Sequence, residues 1–539
     1  MRRILKQHWP LALALLALWL TVAAFWLILT AQTGGRFIYA LDDAYIHMAM
    51  AKNFVSEGVW GVTRYEFSSS TSSVLWTLLL SAIYLLTGAR EKIPFILNLV
   101  AATFALVAAY LSLKNYSITQ RQRFLLLVAF IFLTSLPPLV FSGMEHCAQI
   151  LIDICFVYLA ARVLEDESFA FKDFASLCLL ALAALLTLIR YEGLFLISIV
   201  CLLFLWRRRT AYAFALGLAA IIPIGLYGLV SVRHGAFWLP NSVLLKGALP
   251  TGGALGPLKH AYLKSIEGPH LPLLLLITLA LYLFRRKRVK RLWEQGQTLL
   301  IILLVAIAEH LLFASIGWFY RYEAYLVALG VLIDGALICE SLPDWSSLKQ
   351  KGGRVLRPAT MALSVCLLAA LIPLLKRSFD ALRDTPRADL SIYQQQYQMS
   401  LFLREYYQGA AVAANDIGAI NYFADIRCLD LWGLGSAEIT RDKLRGQYNT
   451  SRIKELAANH QVKIAVVYSG WIQEYGGVPS AWKRMGKWVT PGCIVCGSDT
   501  ISFYAVDPAE AEALTQHLKE FSQRLPTGVQ QGGRYLSER

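Results

Sequence analysis

The chain has 539 residues, of which 57% are apolar and only 16% are charged, and its mean hydropathy is +0.50. Soluble domains carry about 25% charged residues, so this composition excludes an ordinary soluble enzyme. The formal net charge is +15, but the basic residues stand in short clusters between long apolar runs. Such clusters are typical of membrane orientation signals rather than of a nucleic-acid interface, and we expect no nucleic-acid partner.

Apolar runs recur from Trp9 to Leu375 and predict a polytopic α-helical membrane protein. Lys and Arg accumulate in cytoplasmic loops, so the basic clusters assign the sides of the membrane. The clusters are Arg2 to Lys6, Lys114 to Arg123, Arg207 to Arg209, Arg285 to Arg291 and Lys349 to Arg357. The predicted crossings are residues 9–30, 94–113, 124–141, 146–163, 174–190, 193–206, 210–230, 271–284, 297–316, 324–340 and 358–376. About eleven transmembrane helices result, with the N-terminus in the cytoplasm and the C-terminus outside.

Two apolar segments need a separate interpretation. The first predicted crossing is long and lacks a small-residue cleavage site, so we interpret it as an uncleaved signal anchor. Residues 74–86 are helical in character but too short to cross, since a full span needs about 20 residues. We expect this short helix to lie against the outer leaflet of the membrane.

The sequence predicts two domains. Residues 1–376 form the transmembrane domain, and residues 31–93 are its first external loop. Residues 377–539 mix strand and helix patterns with Gly-rich turns, which predicts an external α/β domain. The predicted strands of this domain lie within 409–416 and 462–468, and its predicted helices are 391–408 and 508–524.

Cys493 and Cys496 stand in a turn that runs from Pro491 to Gly497. An oxidising external compartment favours a disulfide between these two cysteines. A redox site is the alternative interpretation. A zinc site needs further ligands, which the neighbouring sequence does not supply.

Asp42 and Asp43 form an adjacent acid pair just before an amphipathic helix in the first external loop. Neighbouring carboxylates raise each other's pKa and attract a proton or a cation. The pair is therefore a candidate general base, a candidate divalent-cation site with Asp43 as ligand, or both. The alternative is an ordinary acidic helix cap. His47, one helical turn further on, can hold a phosphate, orient a carboxylate or serve a structural role.

Short outward loops carry further charged side chains, and charge at the membrane face is costly unless it meets a cavity or a partner. Glu145 follows Ser-Gly-Met at the top of a span and is either a second acid near the pair or a helix cap. The basic residues near outward helix ends are Arg190, Arg233, Lys246 and Arg321. They are candidate ligands for an anionic head group, because Arg and Lys bind phosphate. The alternative is that they snorkel to the membrane interface.

Several short motifs occur in an order and spacing that resemble one family. They are Leu-Asp-Asp-Ala-Tyr-Ile-His at 41–47, Ser-Ser-Val-Leu-Trp-Thr-Leu-Leu at 72–79, Ser-Gly-Met-Glu at 142–145, Arg-Tyr-Glu-Gly at 190–193, Leu-Pro-Asn-Ser at 239–242 with Lys246, Phe-Tyr-Arg-Tyr at 319–322, Asn-Asp-Ile-Gly-Ala-Ile at 415–420 and Leu-Asp-Leu-Trp-Gly-Leu at 429–434. Together they resemble bacterial membrane glycosyltransferases of the GT-C fold, especially the mycobacterial terminal arabinofuranosyltransferase group. The resemblance covers most of the chain.

This resemblance implies a GT-C fold in a bacterial plasma membrane, with the C-terminal domain in the periplasm. It also implies an inverting enzyme that takes a sugar from a polyprenyl-phosphate carrier to a glycan, lipid or protein acceptor. In this family the acid in the first external loop serves as the base. The resemblance implies that Asp42 or Asp43 has this role here, with Asp42 preferred, and that Glu145 and His47 assist the base. The leaving phosphate is stabilised by a divalent cation or by basic residues, here Lys246, Arg321, Arg190 and Arg233.

Two other functions compete with a glycosyltransferase. A flippase or transporter of a lipid-linked saccharide is expected to hold its acids at mid-membrane and to repeat its helices in two halves, and the sequence shows neither pattern. A scaffold that presents the tail domain to cell-envelope partners gives no reason for charges that cluster on the outer face. Both alternatives are therefore weaker than a transferase.

Overall fold

The computed structural model describes residues 2–246, 255–289, 293–341 and 358–536. Within these ranges, a helical part is followed by a smaller part built on one β-sheet. The predicted basic cluster from Lys349 to Arg357 lies outside the described residues, and so does the end of the cluster that begins at Arg285.

The helical part follows the apolar runs, because a helix satisfies all of its backbone hydrogen bonds internally. Its helices are α1 (Arg2–Gln32), α2 (Asp43–Glu57), α3 (Val74–Thr87), α4 (Ile93–Leu113), α5 (Gln120–Leu133), α6 (Leu136–Phe141), α7 (His146–Glu165), α8 (Phe174–Ile189), α9 (Gly193–Trp206), α10 (Thr210–Arg233), α11 (Asn241–Lys246), α12 (Gly256–Glu267), α13 (His270–Arg286), α14 (Gln295–Phe313), α15 (Ala324–Ser341) and α16 (Pro358–Ile392). The expected helices at the acid pair and at 74–86 are confirmed as α2 and α3. The position of α3 against the outer leaflet stays a prediction.

Six of the described helices are long and apolar enough to cross a membrane, namely α1 from His8 onwards, α4, α7, α10, α14 and α15. The count becomes seven if α12 and α13, which meet at a bend of 104°, form one broken span. By length and composition, the described residues thus support six or seven of the eleven predicted crossings. The run at 124–141 breaks at Ser135, where φ is 62°. The runs at 174–190 and 193–206 form helices of only 16 and 14 residues.

The C-terminal part contains a six-stranded mixed sheet with the strand order β2-β1-β3-β5-β4-β6. Its strands are β1 (Ala411–Ala414), β2 (Arg427–Asp430), β3 (Ile464–Val467), β4 (Lys483–Val489), β5 (Thr500–Ala505) and β6 (Gln530–Gly533). Its helices are α17 (Gln398–Tyr406), α18 (Ala419–Phe423), α19 (Ala437–Leu444), α20 (Thr450–Asn459), α21 (Ser469–Gln473) and α22 (Glu510–Phe521). Strand β1 is parallel to β2 and β3, and the other strand pairs are antiparallel. The predicted strands, helices and small α/β architecture are confirmed.

The two parts of the chain are in direct contact. Helix α16 runs without a break through residue 377, where the sequence predicted the domain boundary. The Lys52 Nζ donates a hydrogen bond to the Tyr422 carbonyl at 2.6 Å, and the Asn241 side chain donates to the Gly433 carbonyl at 3.2 Å. The loop of residues 31–93 and α11 are therefore anchored to the sheet domain.

The predicted disulfide between Cys493 and Cys496 is present. The same loop is tied to α21, since the Trp471 indole N–H donates to the Gly497 carbonyl at 3.0 Å. The covalent link and this hydrogen bond together fix the loop between β4 and β5.

Candidate active site

A cavity of about 300 Å³ lies where the loop of residues 31–93 meets the ends of several helices. Its charged and titratable lining residues are Asp43, His47, Arg190, Glu192, Lys246 and Arg321. Its apolar lining includes Met144, Leu194, Phe195, Val243 and Phe313. A cavity lined by both cations and apolar side chains suits an amphiphilic anion.

Asp43 lies at the start of α2 between two cations. Its Oδ1 accepts a hydrogen bond from Lys246 Nζ at 3.0 Å, and its Oδ2 accepts one from Arg321 Nη2 at 2.6 Å. Burial alone would raise the pKa of Asp43, but Lys246 and Arg321 overcome this effect and hold the pKa below its usual range. The carboxylate is therefore ionised in the resting protein, which is the state that a general base requires.

Arg321 is a buried cation with spare hydrogen-bonding capacity. Its side chain is only 2% exposed, and its Nε and Nη1 form no hydrogen bond with any described residue. The ring of Tyr322 lies 5.2 Å from the guanidinium. Buried polar groups are normally hydrogen-bonded, so these two nitrogens are unused donors on a residue that lines the cavity.

The loop that precedes this arginine has a strained backbone. Phe319 and Tyr320 both adopt left-handed φ values, of 50° and 60°, which bulky residues rarely adopt. A buried ion pair holds the loop, because Glu323 accepts from Arg377 Nε at 2.9 Å and from the Gly317 backbone N–H at 2.9 Å. Strain of this kind persists only where surrounding contacts enforce it, and it concentrates at functional sites.

Arg190 is held by two acids. Its Nη1 donates to Glu145 Oε1 at 2.9 Å, and its Nε donates to Glu192 Oε2 at 3.1 Å. Glu145 is completely buried and does not line the cavity. Burial would raise the pKa of Glu145, but His146 and then Arg190 lower it to about 2. In this geometry Glu145 positions Arg190 and does not reach the cavity itself.

Replacing Glu145 by Ala is expected to destabilise the protein, because breaking a buried ion pair costs about 3–5 kcal/mol. The pKa of Glu145 is about 2 in the folded protein and about 4.3 in an unfolded chain. The ion pair therefore contributes fully above the unfolded pKa, and the contribution is lost as the pH falls towards 2. Thermal unfolding in detergent at pH 7 and pH 3 measures the effect. A stability gap between wild type and E145A that does not narrow at pH 3 would contradict the expectation.

His47 lies one turn after Asp43 on α2. Its Nδ1 is 2.9 Å from Thr77 Oγ1 and 3.2 Å from Thr71 Oγ1, and its Nε2 is 3.8 Å from Glu145 Oε2. Burial lowers the pKa of His47, so the ring is neutral at pH 7. The ring connects α2 to the segment that starts α3 and also forms part of the cavity wall.

Asp42 belongs to a second cavity, of about 270 Å³, which shares Asp43 with the first. The Asp42 carboxylate accepts the backbone N–H groups of Gly418 and Ala419 at 2.7 and 2.8 Å. Glycine is required at 418, since a Cβ there would lie 2.1 Å from the Asp42 carbonyl oxygen. Burial, together with the neighbouring Asp416, raises the pKa of Asp42. Asp42 thus joins the loop to the C-terminal domain, and Asp43 lies between the two cavities.

Arg233, the remaining predicted phosphate ligand, lies apart from the other site residues. It is exposed at the end of α10 and lines neither of the two cavities. Lys246 at the end of α11 lines both cavities. The predicted site residues that the structure brings together around the first cavity are Asp43, His47, Arg190, Lys246 and Arg321.

Sequence reasoning missed the acids that support the arginines. Glu192 and Glu323 each follow an arginine by two positions, in the repeated sequence Arg-Tyr-Glu at 190–192 and 321–323. This repetition is the signal that could have identified them. The partner of Glu323 is Arg377, which lies in α16 and carries no local sequence signal.

A divalent cation at Asp43 was one expectation for this site. The described parts of the chain contain no group of three or more His, Cys, Asp or Glu side chains that could hold a metal ion. Both oxygens of Asp43 already accept hydrogen bonds from Lys246 and Arg321. Because these two cations would repel a metal ion at the carboxylate, the donor set does not fit a cation site there.

Several solved structures are similar to this chain. ArnT from Cupriavidus metallidurans matches with a TM-score of 0.53 and 12% identity over 91% of this chain and 98% of its own, both in the apo state and bound to undecaprenyl phosphate. The Archaeoglobus fulgidus oligosaccharyltransferase matches with a TM-score of 0.49 and 11% identity over 90% of this chain and 73% of its own. At this low identity the match to ArnT shows the fold alone, and the predicted GT-C fold is confirmed.

A family model described as a domain of unknown function (DUF8728) matches residues 388–504. This range begins near the end of α16 and ends within β5. No curated protein sequence matches the chain. The family model therefore covers most of the C-terminal sheet domain without assigning a function to it.

Proposed function

We propose that the protein is an inverting membrane glycosyltransferase that moves a pentose or hexose from a polyprenyl-phosphate carrier to an acceptor glycan, lipid or protein. The observation that carries the proposal is the Arg321 guanidinium, which is buried at the first cavity with two nitrogens unpaired among the described residues. Such a guanidinium binds phosphate oxygens through two parallel hydrogen bonds. The shared fold with ArnT, which was solved with bound undecaprenyl phosphate, supports the proposal.

The first cavity matches both ends of such a donor. The phosphate binds between Arg321 and Lys246, and Arg190 also lines the cavity. The prenyl chain follows the apolar wall, which includes Leu194, Phe195 and Phe313. The six long apolar helices agree with a multi-pass membrane protein, which such a lipid substrate requires.

Asp43 is assigned as the general base. A hydroxyl of the acceptor attacks C1 of the donor sugar, the bond between C1 and the phosphate oxygen breaks, and the configuration at C1 inverts. The hydroxyl proton passes to Asp43, and the electron pair of the broken bond leaves with the polyprenyl phosphate. Arg321 and Lys246 stabilise the charge on this leaving group. As they turn to the phosphate, Asp43 loses its ion-pair partners and becomes a stronger base.

The remaining site residues receive supporting roles. Glu145 and Glu192 hold Arg190, and His47 holds α2 in register with the start of α3. Asp42 connects the first loop to the C-terminal domain. No step is routed through a divalent cation, because the donor set at Asp43 does not fit one.

The proposal also covers the location of the protein and the sugar that it transfers. The basic clusters favour a cytoplasmic N-terminus and a C-terminal domain on the opposite side of the membrane. The resemblance to bacterial GT-C glycosyltransferases adds a bacterial plasma membrane and a periplasmic location for that domain. Arabinose is the first sugar to test, because the motifs resemble those of the terminal arabinofuranosyltransferases. A hexose on the same carrier is the second.

The test uses purified full-length protein with radiolabelled polyprenyl-phosphate arabinose, mannose or galactose, and a cell-envelope extract as acceptor. We expect label to move from the lipid to the extract, with release of stoichiometric polyprenyl phosphate. The matched control is Arg321→Ala, which removes the phosphate ligand. Absence of transfer from every donor would contradict the proposal, and movement of an intact lipid-linked saccharide across proteoliposomes would favour the flippase alternative.

A further inference from the structure

The second cavity lies between the first external loop, the 317–320 loop and the C-terminal domain. Its lining includes the aromatic residues Trp318, Trp432 and Trp471 and the acids Asp42, Asp43 and Asp416. Asp43 also lines the first cavity. A molecule in the second cavity can therefore reach the proposed base while the donor occupies the first.

The three tryptophans of the second cavity differ in how firmly they are held. Trp318 is 46% exposed, although a large aromatic ring usually buries most of its surface. The rings of Trp432 and Trp471 lie 4.6 Å apart at an angle of 48°. Lys443 Nζ lies 3.8 Å from the Trp432 ring centre, and the Trp471 N–H is bonded to Gly497. These contacts hold two of the rings in place and leave the third accessible.

Asp416 supplies a fixed polar group beside these rings. Its Oδ2 accepts a hydrogen bond from Gln396 at 2.8 Å and lies 2.9 Å from the Tyr468 hydroxyl. Burial raises the pKa of Asp416, and Asp42 lies next to it. Two adjacent carboxyl groups that share a proton can both donate and accept hydrogen bonds, which is what hydroxyl groups need.

We propose that the second cavity binds a sugar ring of a saccharide acceptor, with ring C–H groups against the tryptophan faces and hydroxyl groups at Asp416. The inference rests on the proposed glycosyltransferase function and selects a glycan among its acceptor classes. Aromatic faces are electron-rich and attract the weakly positive C–H groups of a sugar ring. A lipid chain offers no hydrogen bond to Asp416 and would place apolar groups against three acids, whereas a sugar supplies hydroxyl groups to them.

The size of the cavity supports a single ring. Pockets for drug-sized ligands begin at about 300 Å³, and the second cavity measures about 270 Å³. One terminal sugar therefore enters the cavity, and the rest of the acceptor extends out of it. The terminal hydroxyl that receives the new sugar then lies near Asp43, which forms part of the cavity wall.

The experiment measures binding of methyl glycosides of arabinose, mannose, galactose and glucose to the full-length protein by saturation-transfer NMR, in a detergent without a sugar head group. We expect transfer to the ring C–H protons and binding about tenfold weaker in Trp318→Ala. The matched control is Trp238→Ala, since Trp238 is 50% exposed and lines neither of the two cavities. Asp416→Asn supplies a second variant, in which we expect weaker glycoside binding with unchanged binding of undecaprenyl phosphate.

Two outcomes would overturn the inference. The first is that no glycoside binds while an acetylated Ala-Ser-Ala amide peptide does. The second is that Trp318→Ala and Trp238→Ala weaken glycoside binding equally. Failure of the underlying function looks different, because undecaprenyl phosphate would then not bind to the wild-type protein. Glycoside binding that depends on Trp318 would in that case still support a saccharide site.

Discussion

Replacing Asp43 by Asn is expected to lower the turnover of sugar transfer by about 10²–10⁴-fold, which is the usual contribution of a general base. An amide cannot take the proton of the acceptor hydroxyl, although it has nearly the same shape as the carboxyl group. Asp43 is also the group that Lys246 and Arg321 contact in the resting protein. The measurement is the initial rate of transfer from a polyprenyl-phosphate sugar at saturating donor, with thermal unfolding to verify the fold.

The neighbouring acid provides the matched control. Asp42 accepts the backbone N–H groups of Gly418 and Ala419. In Asp42→Asn, the amide oxygen still accepts one of them, but the amide NH₂ group faces the other and cannot accept it. We therefore expect a lower unfolding temperature and a much smaller loss of turnover than in D43N. Full activity in D43N, with complete loss in a stably folded D42N, would transfer the role of base to Asp42.

Replacing Arg321 by Lys is expected to reduce transfer by about 10²–10³-fold, which is the typical cost of losing one preorganised donor to a developing negative charge. Lys keeps the positive charge but lacks the planar fork that binds two phosphate oxygens. The loss should appear both in the affinity for undecaprenyl phosphate and in turnover, because the phosphate gains charge as it leaves. Equilibrium binding and single-turnover kinetics separate the two effects.

Arg233 serves as the control for Arg321, because it was predicted from the same kind of sequence pattern. It is exposed and lines neither of the two cavities. In Arg233→Lys we expect transfer rates within about twofold of wild type, since exposed substitutions usually change free energies by less than about 0.5 kcal/mol. Equal losses in R321K and R233K would remove Arg321 from the phosphate site.

The sequence identified the individual charged residues of the site but not their contacts. Asp43, Lys246 and Arg321 were all candidates, yet Asp43 is separated by 203 residues from Lys246 and by 278 from Arg321. Outward charges are costly at a membrane face, and this cost is why they could be recognised without a structure. Which of them meet depends on how the loops fold over one another, and no local pattern records that.

The sequence also could not predict the different contacts of Asp42 and Asp43. Adjacent residues at the start of a helix point about 100° apart, because an α-helix has 3.6 residues per turn. One carboxylate therefore meets the C-terminal domain, and the other meets the two cations of the cavity. The two side chains are chemically identical, and only their positions around the helix axis distinguish them.

The helices and the small sheet could be predicted from apolar runs and strand patterns, but the number of crossings could not. Hydropathy does not detect the left-handed backbone at Ser135 that splits one run into two helices. It also does not distinguish a helix of 14 residues, such as Gly193–Trp206, from a full span when both are equally apolar. Arg377 was missed for a related reason, since its ion pair with Glu323 is visible only in three dimensions.

The hydrogen bond between Asp42 and Gly418 joins residues that are 376 positions apart, which has a consequence for biosynthesis. A ribosome that adds about 5–20 residues per second makes this interval in about 20–75 seconds. During that time the nascent chain holds the acid pair without the partner that fixes it. The loop that holds the acid pair therefore acquires this partner only near the end of translation, and under the proposed function we expect a truncated chain without the C-terminal domain to be inactive.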